Sequence, residues 1–162
     1  MLAALTLVQE GGLMSKHVLV AGSLHYDLVV HADRFPVIDE YAVGHAARHL
    51  PGGKGGNQAL ASARCGTPTW LASRVGDDEA GRILRDNLAR GGVDVSLLQI
   101  GAGETTGSSI AVVNEFGDFG AVVLPGANAN FEAGRVRLPP EAGFLLLQNE
   151  LPAEANLALA RE

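Results

Sequence analysis

Short apolar runs that alternate with segments of helical composition constrain the fold of this chain more than any other feature. The apolar runs lie at residues 17–22, 69–73 and 143–148, and their composition is typical of strands buried on both faces. The helical segments lie at residues 57–64, 80–88 and 153–162. Because this alternation is typical of strands joined by helical crossovers, the sequence predicts an α/β fold with a mainly parallel sheet.

The helix near Asp78 has the clearest boundaries. Asp77, Asp78 and Glu79 place carboxylates at its N-cap and first turn, where the unpaired amides of a helix start favour negative charge. Two glycines at residues 91 and 92 end the apolar spacing. The last helical segment, in contrast, reaches the final residue without a C-cap signal, and we therefore expect an incomplete domain.

A smaller β layer is predicted outside the parallel sheet. Residues 109–113 and 120–124 are apolar runs separated by a turn that contains glycine, which is typical of a hairpin. Residues 27–31 are rich in β-branched side chains, and residues 41–50 are expected to be extended. We expect these segments to pair with each other.

Composition excludes several classes of protein. The chain has 12 Lys plus Arg against 18 Asp plus Glu, and the net charge of −6 argues against nonspecific nucleic-acid binding. No apolar run reaches the roughly 18 residues that a membrane span needs. Cys65 is the single cysteine and cannot form an internal disulfide, which favours a cytoplasmic protein. We expect Cys65 to be a small buried thiol.

The first 16 residues are expected to be a disordered leader. They contain an apolar stretch, but they lack the basic region and the cleavage site of a signal peptide. The predicted folded domain therefore covers residues 17–162.

The densest cluster of functional residue types is Pro-Gly-Gly-Lys-Gly-Gly-Asn-Gln at residues 51–58, directly before a helical segment. Four glycines allow the backbone to approach a ligand, while the amides of a helix start and the Lys54 ammonium favour electronegative groups. Asn57 adds an amide that both donates and accepts hydrogen bonds. A flexible linker is the alternative. A Walker A loop is excluded because Gly55 follows Lys54 where Ser or Thr is required.

Polar residues after two predicted strands suit the binding of a polyol. Ser23, His25 and Asp27 alternate, so in an extended chain they present a hydroxyl, an imidazole and a carboxylate on one face. A solvated loop fits the same spacing. Glu150 follows a buried strand, at the end where parallel sheets bind ligands, although it also fits as a helix N-terminal charge.

Metal-ligand spacing occurs at His45 and His49, which are four residues apart. The glutamate of a His-Glu-x-x-His zinc site is absent because residue 46 is alanine, and no helix is predicted there. We therefore expect no metal site.

In combination, these motifs resemble the N-terminal half of the ribokinase-like sugar kinases of the PfkB family. The resemblance runs from about His17 to the end of the chain. It rests on motifs in family order: Gly-Ser-Leu-His-Tyr-Asp at 22–27, Gly-Gly-Lys-Gly-Gly-Asn-Gln at 52–58, Val-Gly-Asp-Asp at 75–78, Gly-Val-Asp at 92–94, Thr-Gly at 106–107, Gly-Ala-Asn at 126–128 and Gln-Asn-Glu at 148–150. Each motif is weak alone, but the ordered set is specific.

The resemblance implies an ATP-dependent phosphotransferase that acts on a hydroxyl of a sugar or a nucleoside. It implies a central, mainly parallel sheet flanked by helices, with a small β-sheet lid over about 27–50 and 106–125, through which many members form homodimers. The residues that would hold the sugar are Asp27, Gly53, Lys54, Asn57 and Glu150. His25 lies where ribokinases carry Asn, so it is a further candidate contact and leaves the choice of sugar open.

One segment of the family pattern is absent. The family's catalytic Asp lies in a Gly-Ala-Gly-Asp motif far toward the C-terminus, where backbone amides stabilise the transferring phosphoryl group. Gly-Ala-Gly-Glu at 101–104 is not its equivalent, because it precedes a strand rather than a helix. We therefore expect the chain to lack the C-terminal half, to carry no catalytic residue, and to bind only weakly the ATP and Mg²⁺ that the complete enzyme uses.

Two other interpretations remain open. The first is a noncatalytic carbohydrate-binding or dimer-interaction module, which would fold, bind a polyol and pair through the lid. The second is that a separate chain supplies the missing half. A half sheet would also expose an apolar edge, so the isolated chain is expected to dissolve poorly.

Overall fold

The computed structural model describes residues 5–7 and 17–162, which form two β-sheets and three α-helices. The strands are, in chain order, β1 (Leu5–Leu7), β2 (His17–Ala21), β3 (His25–Ala32), β4 (Gly44–Gly52), β5 (Thr69–Gly76), β6 (Val93–Asp94), β7 (Leu98–Gly101), β8 (Ser108–Val113), β9 (Phe119–Leu124) and β10 (Ala142–Leu147). The helices are α1 (Lys54–Arg64), α2 (Glu79–Arg90) and α3 (Ala153–Leu159), with short 3₁₀ helices at Gly126–Asn130 and Ala133–Arg135. In this described part of the chain, no helix combines the length and the apolar character needed to cross a membrane.

The larger sheet, which we call the body sheet, has the strand order β1-β10-β2-β5-β6, and β7 also pairs with β5. Every pairing is parallel except that of β1 with β10. Helix α1 precedes β5 and helix α2 follows it, as expected when neighbouring strands run in the same direction. The predicted α/β fold with a mainly parallel sheet is therefore confirmed.

The smaller sheet, which we call the lid sheet, has the strand order β4-β3-β8-β9. Strands β3 and β8 are parallel, while the two outer pairings are antiparallel. Strands β8 and β9 form the predicted hairpin, whose turn is closed by the Asn114 side chain accepting from the amide of Asp118 at 2.9 Å. The prediction of a small separate sheet is confirmed, although β3 begins at His25 and β4 ends at Gly52, outside the expected segment 27–50.

Side chains of the body sheet fill one hydrophobic core on each face. In β2, Leu19 joins the first cluster and Val20 joins the second, because successive side chains of a strand point to opposite faces. Helix α3 covers the first cluster through Leu159. Helices α1 and α2 cover the second cluster through Ala59 and Leu84. Both faces of the parallel sheet are thus shielded from water.

Helix α2 begins and ends where the sequence predicts. The Asp78 carboxylate accepts a hydrogen bond from the Gly81 amide at 2.8 Å, and Gly91 is the C-cap. Asp78 also accepts bonds from the Thr106 amide at 2.8 Å and the Thr106 hydroxyl at 2.5 Å. Partial burial raises the pKa of Asp78, but the hydrogen bonds from Thr106 and Gly81 outweigh that effect, so the pKa lies below its ordinary value.

Two helix boundaries differ from the prediction. Helix α1 begins at Lys54, so the second half of the glycine run forms its first turn rather than a loop. Glycine is required there because a Cβ on Gly55 would lie 2.6 Å from the Cα of Gly22. Helix α3 ends at Leu159 with Ala160 as its C-cap, so it does not extend to the last residue as predicted.

Two further features also differ from the expectations. Residues Leu5–Leu7 of the predicted leader form β1, which pairs with the outer edge of β10, where free amides and carbonyls accept a strand. The remaining leader residues, 1–4 and 8–16, lie outside the described residues. Cys65 is exposed rather than buried because it is the C-cap of α1. His45 and His49, in contrast, lie on the exposed strand β4, in the segment that was expected to be extended.

Candidate functional site

The candidate residues lie where the body sheet meets the lid sheet. The last residues of β2 and β10, Ala21 and Leu147, are register partners, so the segments that follow leave the sheet side by side. Helix α1 begins against the first of these segments, since the Gly56 amide donates to the Ser23 carbonyl at 3.1 Å. Ligands of parallel α/β sheets bind beyond the carboxyl ends of the strands, which is where these elements meet.

Glu150 links the segments at this edge. One of its carboxylate oxygens accepts a hydrogen bond from the Ser23 hydroxyl at 2.6 Å, and the other forms an ion pair with the Lys54 ammonium. Partial burial raises the pKa of Glu150, but hydrogen bonds from Lys54 and Ser23 and the charges of Lys54 and His25 outweigh it, so the pKa lies below its ordinary value. The first-turn carboxylate of α3 is instead Glu154. Glu150 is therefore an ionised acceptor near neutral pH, rather than a helix-end charge.

Two glycines hold the start of α1 against the segment that follows β2. Gly53 has a φ of +90°, a left-handed conformation that favours glycine. A Cβ on Gly53 would lie 2.6 Å from the carbonyl oxygen of Ser23 and 2.8 Å from the backbone nitrogen of His25. A Cβ on Gly52 would likewise collide with the carboxylate of Asp27. A larger residue at Gly53 would therefore separate α1 from Ser23, and one at Gly52 would displace the Asp27 carboxylate.

Asp27 enters the site from β3 and is held by a residue of the neighbouring strand. Its carboxylate oxygen Oδ1 accepts a hydrogen bond from the Ser109 hydroxyl at 2.6 Å. His25, two residues earlier on β3, is only 6 % exposed, and its ring lies within 2.6 Å of where a Cβ on Gly107 would be. Ser23 precedes β3, so the predicted alternating face is formed by His25 and Asp27 alone.

Asn57 is placed differently from the other predicted residues. It is exposed on the first turn of α1, where its backbone amide donates a hydrogen bond to the Gly53 carbonyl at 3.0 Å. Its side chain forms no hydrogen bond within the described part of the chain. The structure therefore brings Lys54, Gly53 and Glu150 together around Ser23, and it places Asp27 beside Gly52. The side-chain amide of Asn57 is left free to contact a ligand.

Asn128 is a structural residue of the site that the sequence analysis does not identify. Its side chain accepts from the Leu24 amide at 2.9 Å and donates to the Leu24 carbonyl at 2.8 Å and the Pro125 carbonyl at 2.9 Å. Asn128 is fully buried and therefore fixes the backbone between Ser23 and His25. The only sequence signal is its place in the Gly-Ala-Asn motif at 126–128, which does not show what the amide binds.

Glu104 ends the Gly-Ala-Gly-Glu segment at residues 101–104, and it has a structural partner. The Arg74 guanidinium binds it through two hydrogen bonds, of 3.1 Å from Nε and 2.6 Å from Nη2. Arg74 is buried and also contacts Glu132 at 2.6 Å. Glu104 is therefore engaged in an ion-pair cluster, and β8 rather than a helix follows it.

The arrangement as a whole suits a ligand with several hydroxyl groups. Two carboxylates, of Asp27 and Glu150, accept hydrogen bonds, while the Lys54 ammonium and the amides at the start of α1 donate them. Within residues 5–7 and 17–162, no group of three or more His, Cys, Asp and Glu side chains is placed to hold a metal ion.

Comparison with known proteins gives consistent matches. The family model described as pfkB family carbohydrate kinase matches residues 15–161. The chain is 33 % identical to the ribokinase of Bacillus subtilis over 143 residues, which are 86 % of this chain and 48 % of that protein. It is similar to the ribokinase structure from Thermotoga maritima, with a TM-score of 0.80 and 29 % identity over 90 % of this chain and 49 % of that chain. It is also similar to Arabidopsis thaliana ribokinase complexed with ribose and ATP, with a TM-score of 0.76 and 28 % identity over 91 % and 50 % of the two chains.

The structural matches agree with the observed architecture. The chain spans about half the length of the curated relatives it matches, which agrees with the predicted resemblance to the N-terminal portion. Because the family model covers nearly the whole described fold, the chain belongs to the pfkB family of carbohydrate kinases.

Proposed function

We propose that this chain forms the sugar-binding part of an ATP-dependent carbohydrate kinase, in which a sugar hydroxyl accepts the phosphoryl group. The observation that carries the proposal is the Glu150 carboxylate held between Lys54 and Ser23 beyond the ends of two parallel strands. The proposed substrate contacts are Asp27, Gly53, Lys54, Asn57 and Glu150, together with His25. The relative from Arabidopsis, which is complexed with ribose and ATP, supports a sugar as the acceptor.

The charges in this site are paired before any ligand arrives. The Lys54 side chain is 57 % exposed, so its ammonium retains N–H groups that can donate hydrogen bonds to a sugar hydroxyl. The Glu150 oxygens likewise retain lone pairs beside their bonds to Ser23 and Lys54. A sugar therefore adds hydrogen bonds to groups that are already oriented, which reduces the ordering cost of binding.

The proposal assigns ATP and Mg²⁺ to the complete protein. The 162 residues contain no Gly-Ala-Gly-Asp segment, and the relatives are about twice as long. Phosphoryl transfer depends on positioned groups that stabilise charge around the transferring phosphate. We therefore expect the 162-residue chain to have little or no kinase activity and to bind ATP weakly. The single cysteine favours a cytoplasmic location.

A second candidate is a noncatalytic carbohydrate-binding module that pairs through the lid sheet. The observation that favours it is the apolar surface of β9, where Phe119 is 74 % exposed and Val122 is 67 % exposed. Apolar surface of this kind is typical of protein interfaces. The same surface supports a homodimer of the kinase. A nucleoside is the alternative acceptor, and His25, which lies where ribokinases carry Asn, leaves this choice open.

Calorimetry and a coupled assay test the sugar site and the expected inactivity of the chain. D-ribose, D-fructose and adenosine are titrated into the 162-residue chain, and ADP release is measured with ATP and the ligand that binds. We expect a sugar to bind and ADP release to stay at background. Robust turnover would contradict the inactivity of the chain, and failure of all three ligands to bind would contradict the sugar site.

Variants of two glutamates provide the matched control. Glu150→Gln should weaken binding at least tenfold, because a charge-assisted acceptor is lost and Lys54 is left without its partner. Glu154→Gln, at the exposed start of α3, should leave binding unchanged. Equal effects of the two substitutions would show that the ligand does not bind at Glu150.

A further inference from the structure

We propose that Ser109 is a positioning residue for the sugar, which orients the Asp27 carboxylate from the neighbouring strand of the lid sheet. The proposal rests on the proposed function, because it assigns Asp27 to the sugar site. The observation that supports this role is the 2.6 Å hydrogen bond that the Ser109 hydroxyl donates to Oδ1 of Asp27. The two residues are 82 positions apart in the chain, so the contact exists only in the folded lid sheet.

Strand register places the two side chains on one face of the lid sheet. Leu28 of β3 is the register partner of Ile110 of β8, and the two strands are parallel. Asp27 and Ser109 precede these partners by one residue, so their side chains emerge on the same face of adjacent strands. Ser108 is the preceding residue of β8, and its side chain points to the opposite face.

The second carboxylate oxygen of Asp27 is restricted from the other side. It lies where a Cβ on Gly52 would be, so β4 approaches Asp27 as closely as a glycine allows. Strand β3 lies between β4 and β8, and its carboxylate is therefore confined by Gly52 on one side and bonded to Ser109 on the other. Within the described residues, Oδ2 accepts no hydrogen bond, and it is the oxygen available to a sugar hydroxyl.

A carboxylate held in this way loses little side-chain freedom when the sugar binds. Without the hydroxyl of Ser109, Asp27 would have to be ordered by the ligand, which weakens binding by a few-fold for one side chain. The same hydroxyl also keeps one lone pair free for the ligand, beyond its bond to Asp27. Ser109 therefore couples the lid strand β8 to sugar affinity.

The test compares two neighbouring serines of β8 by calorimetry and by thermal unfolding. D-ribose, D-fructose and adenosine are titrated in parallel, and the variants are compared with the ligand that binds the parent chain. Ser109→Ala should raise the Kd about fivefold, Ser109→Thr should restore most of the affinity, and Ser108→Ala should leave both the Kd and the Tm unchanged. In an Asp27→Asn background, which itself weakens binding strongly, Ser109→Ala should add less than twofold.

Each outcome bears on one of the two proposals. An unchanged Kd for Ser109→Ala, with weak binding by Asp27→Asn, would overturn the positioning role and leave the sugar site intact. A lower Tm with an unchanged Kd would assign Ser109 to stability alone. Full additivity with Asp27→Asn would show that Ser109 does not act through Asp27. An Asp27→Asn variant that binds as well as the parent would contradict the proposed site itself.

Discussion

The body sheet and the lid sheet are covered in opposite ways. In β5 of the body sheet, seven of eight residues are buried, and helices pack on both faces of the sheet. In the lid sheet, eight of nine residues of β4 and all six residues of β9 are exposed. The body sheet is therefore held by burial of apolar surface, whereas the lid sheet depends on its ladder of hydrogen bonds and on its attachment to the body.

The candidate site lies at the boundary between these two kinds of structure. Glu150, Ser23 and Lys54 belong to the edge of the body sheet and the start of α1. Asp27 and Ser109 belong to the lid sheet, which buries little. Of the six proposed sugar contacts, we therefore expect the body sheet and α1 to supply four, and the lid to supply Asp27 and His25 from a less protected element.

The largest expected effect is the loss of stability when a buried side chain of the body sheet is truncated, compared with an exposed one of the lid sheet. Leu71→Ala in β5 removes a fully buried side chain and should lower the free energy of unfolding by about 2–5 kcal/mol. Val122→Ala on β9, where the side chain is 67 % exposed, should change it by less than about 0.5 kcal/mol. Urea denaturation measures both, and a comparable loss for Val122→Ala would show that the lid sheet is covered in solution.

A smaller effect is expected at the junction between the sheets. Asn128→Ala leaves the amide and the carbonyl of Leu24 without their partner, which should cost about 3 kcal/mol and also weaken sugar binding. Asn130→Ala, at the exposed end of the same 3₁₀ helix, is the control and should cost less than about 1 kcal/mol. Sugar affinity that survives Asn128→Ala would mean that the segment at Leu24 is held by other contacts.

The cap of α2 should contribute less than the junction. Asp78→Ala removes the bonds from the Gly81 amide and from Thr106, and should lower the free energy of unfolding by about 2 kcal/mol. Asp86→Ala lies on an exposed face of the same helix and should be nearly neutral. Denaturation of both variants is the measurement, and equal losses would contradict the capping role.

The smallest expected effect is the dependence of stability on pH. The pKa values of Asp78 and Glu150 in the folded protein lie below their ordinary values of 3.8 and 4.5. Their ionised forms therefore stabilise the fold fully above those ordinary values, and this stabilisation is lost as the pH falls below them. Urea denaturation between pH 6 and pH 3 should show the decline, and Asp78→Asn should reduce its slope. A slope that is unchanged in this variant would remove Asp78 from the explanation.

The main elements of both sheets could be predicted because their sequences carry local signals. The apolar run of β2, the capped helix α2 and the glycine turn between β8 and β9 each reflect short-range chemistry. Strands β6 and β7 could not be predicted in the same way, because segments of two and four residues show no reliable periodicity. The start of α1 was misplaced since Gly55 disfavours a helix locally, while close packing against Gly22 requires glycine there.

The candidate site could be predicted in part. The spacing around Lys54 and the position of Glu150 after a buried strand identify two groups that the structure places in direct contact. The roles of Ser109 and Asn128 depend on partners 82 and 104 residues away in the chain. Serine and asparagine are ordinary residues in strands and turns, so only the folded arrangement shows what they bind.

The most direct test is amide hydrogen exchange of the chain with and without a saturating sugar, with D-ribose as the first probe. If the sugar binds at the boundary between the sheets, protection should increase at residues 22–27, 53–57 and 148–150, and remain unchanged in α2 and β9. Protection that appears only in α2 or β9, or that is absent at saturation, would contradict a sugar site built around Glu150.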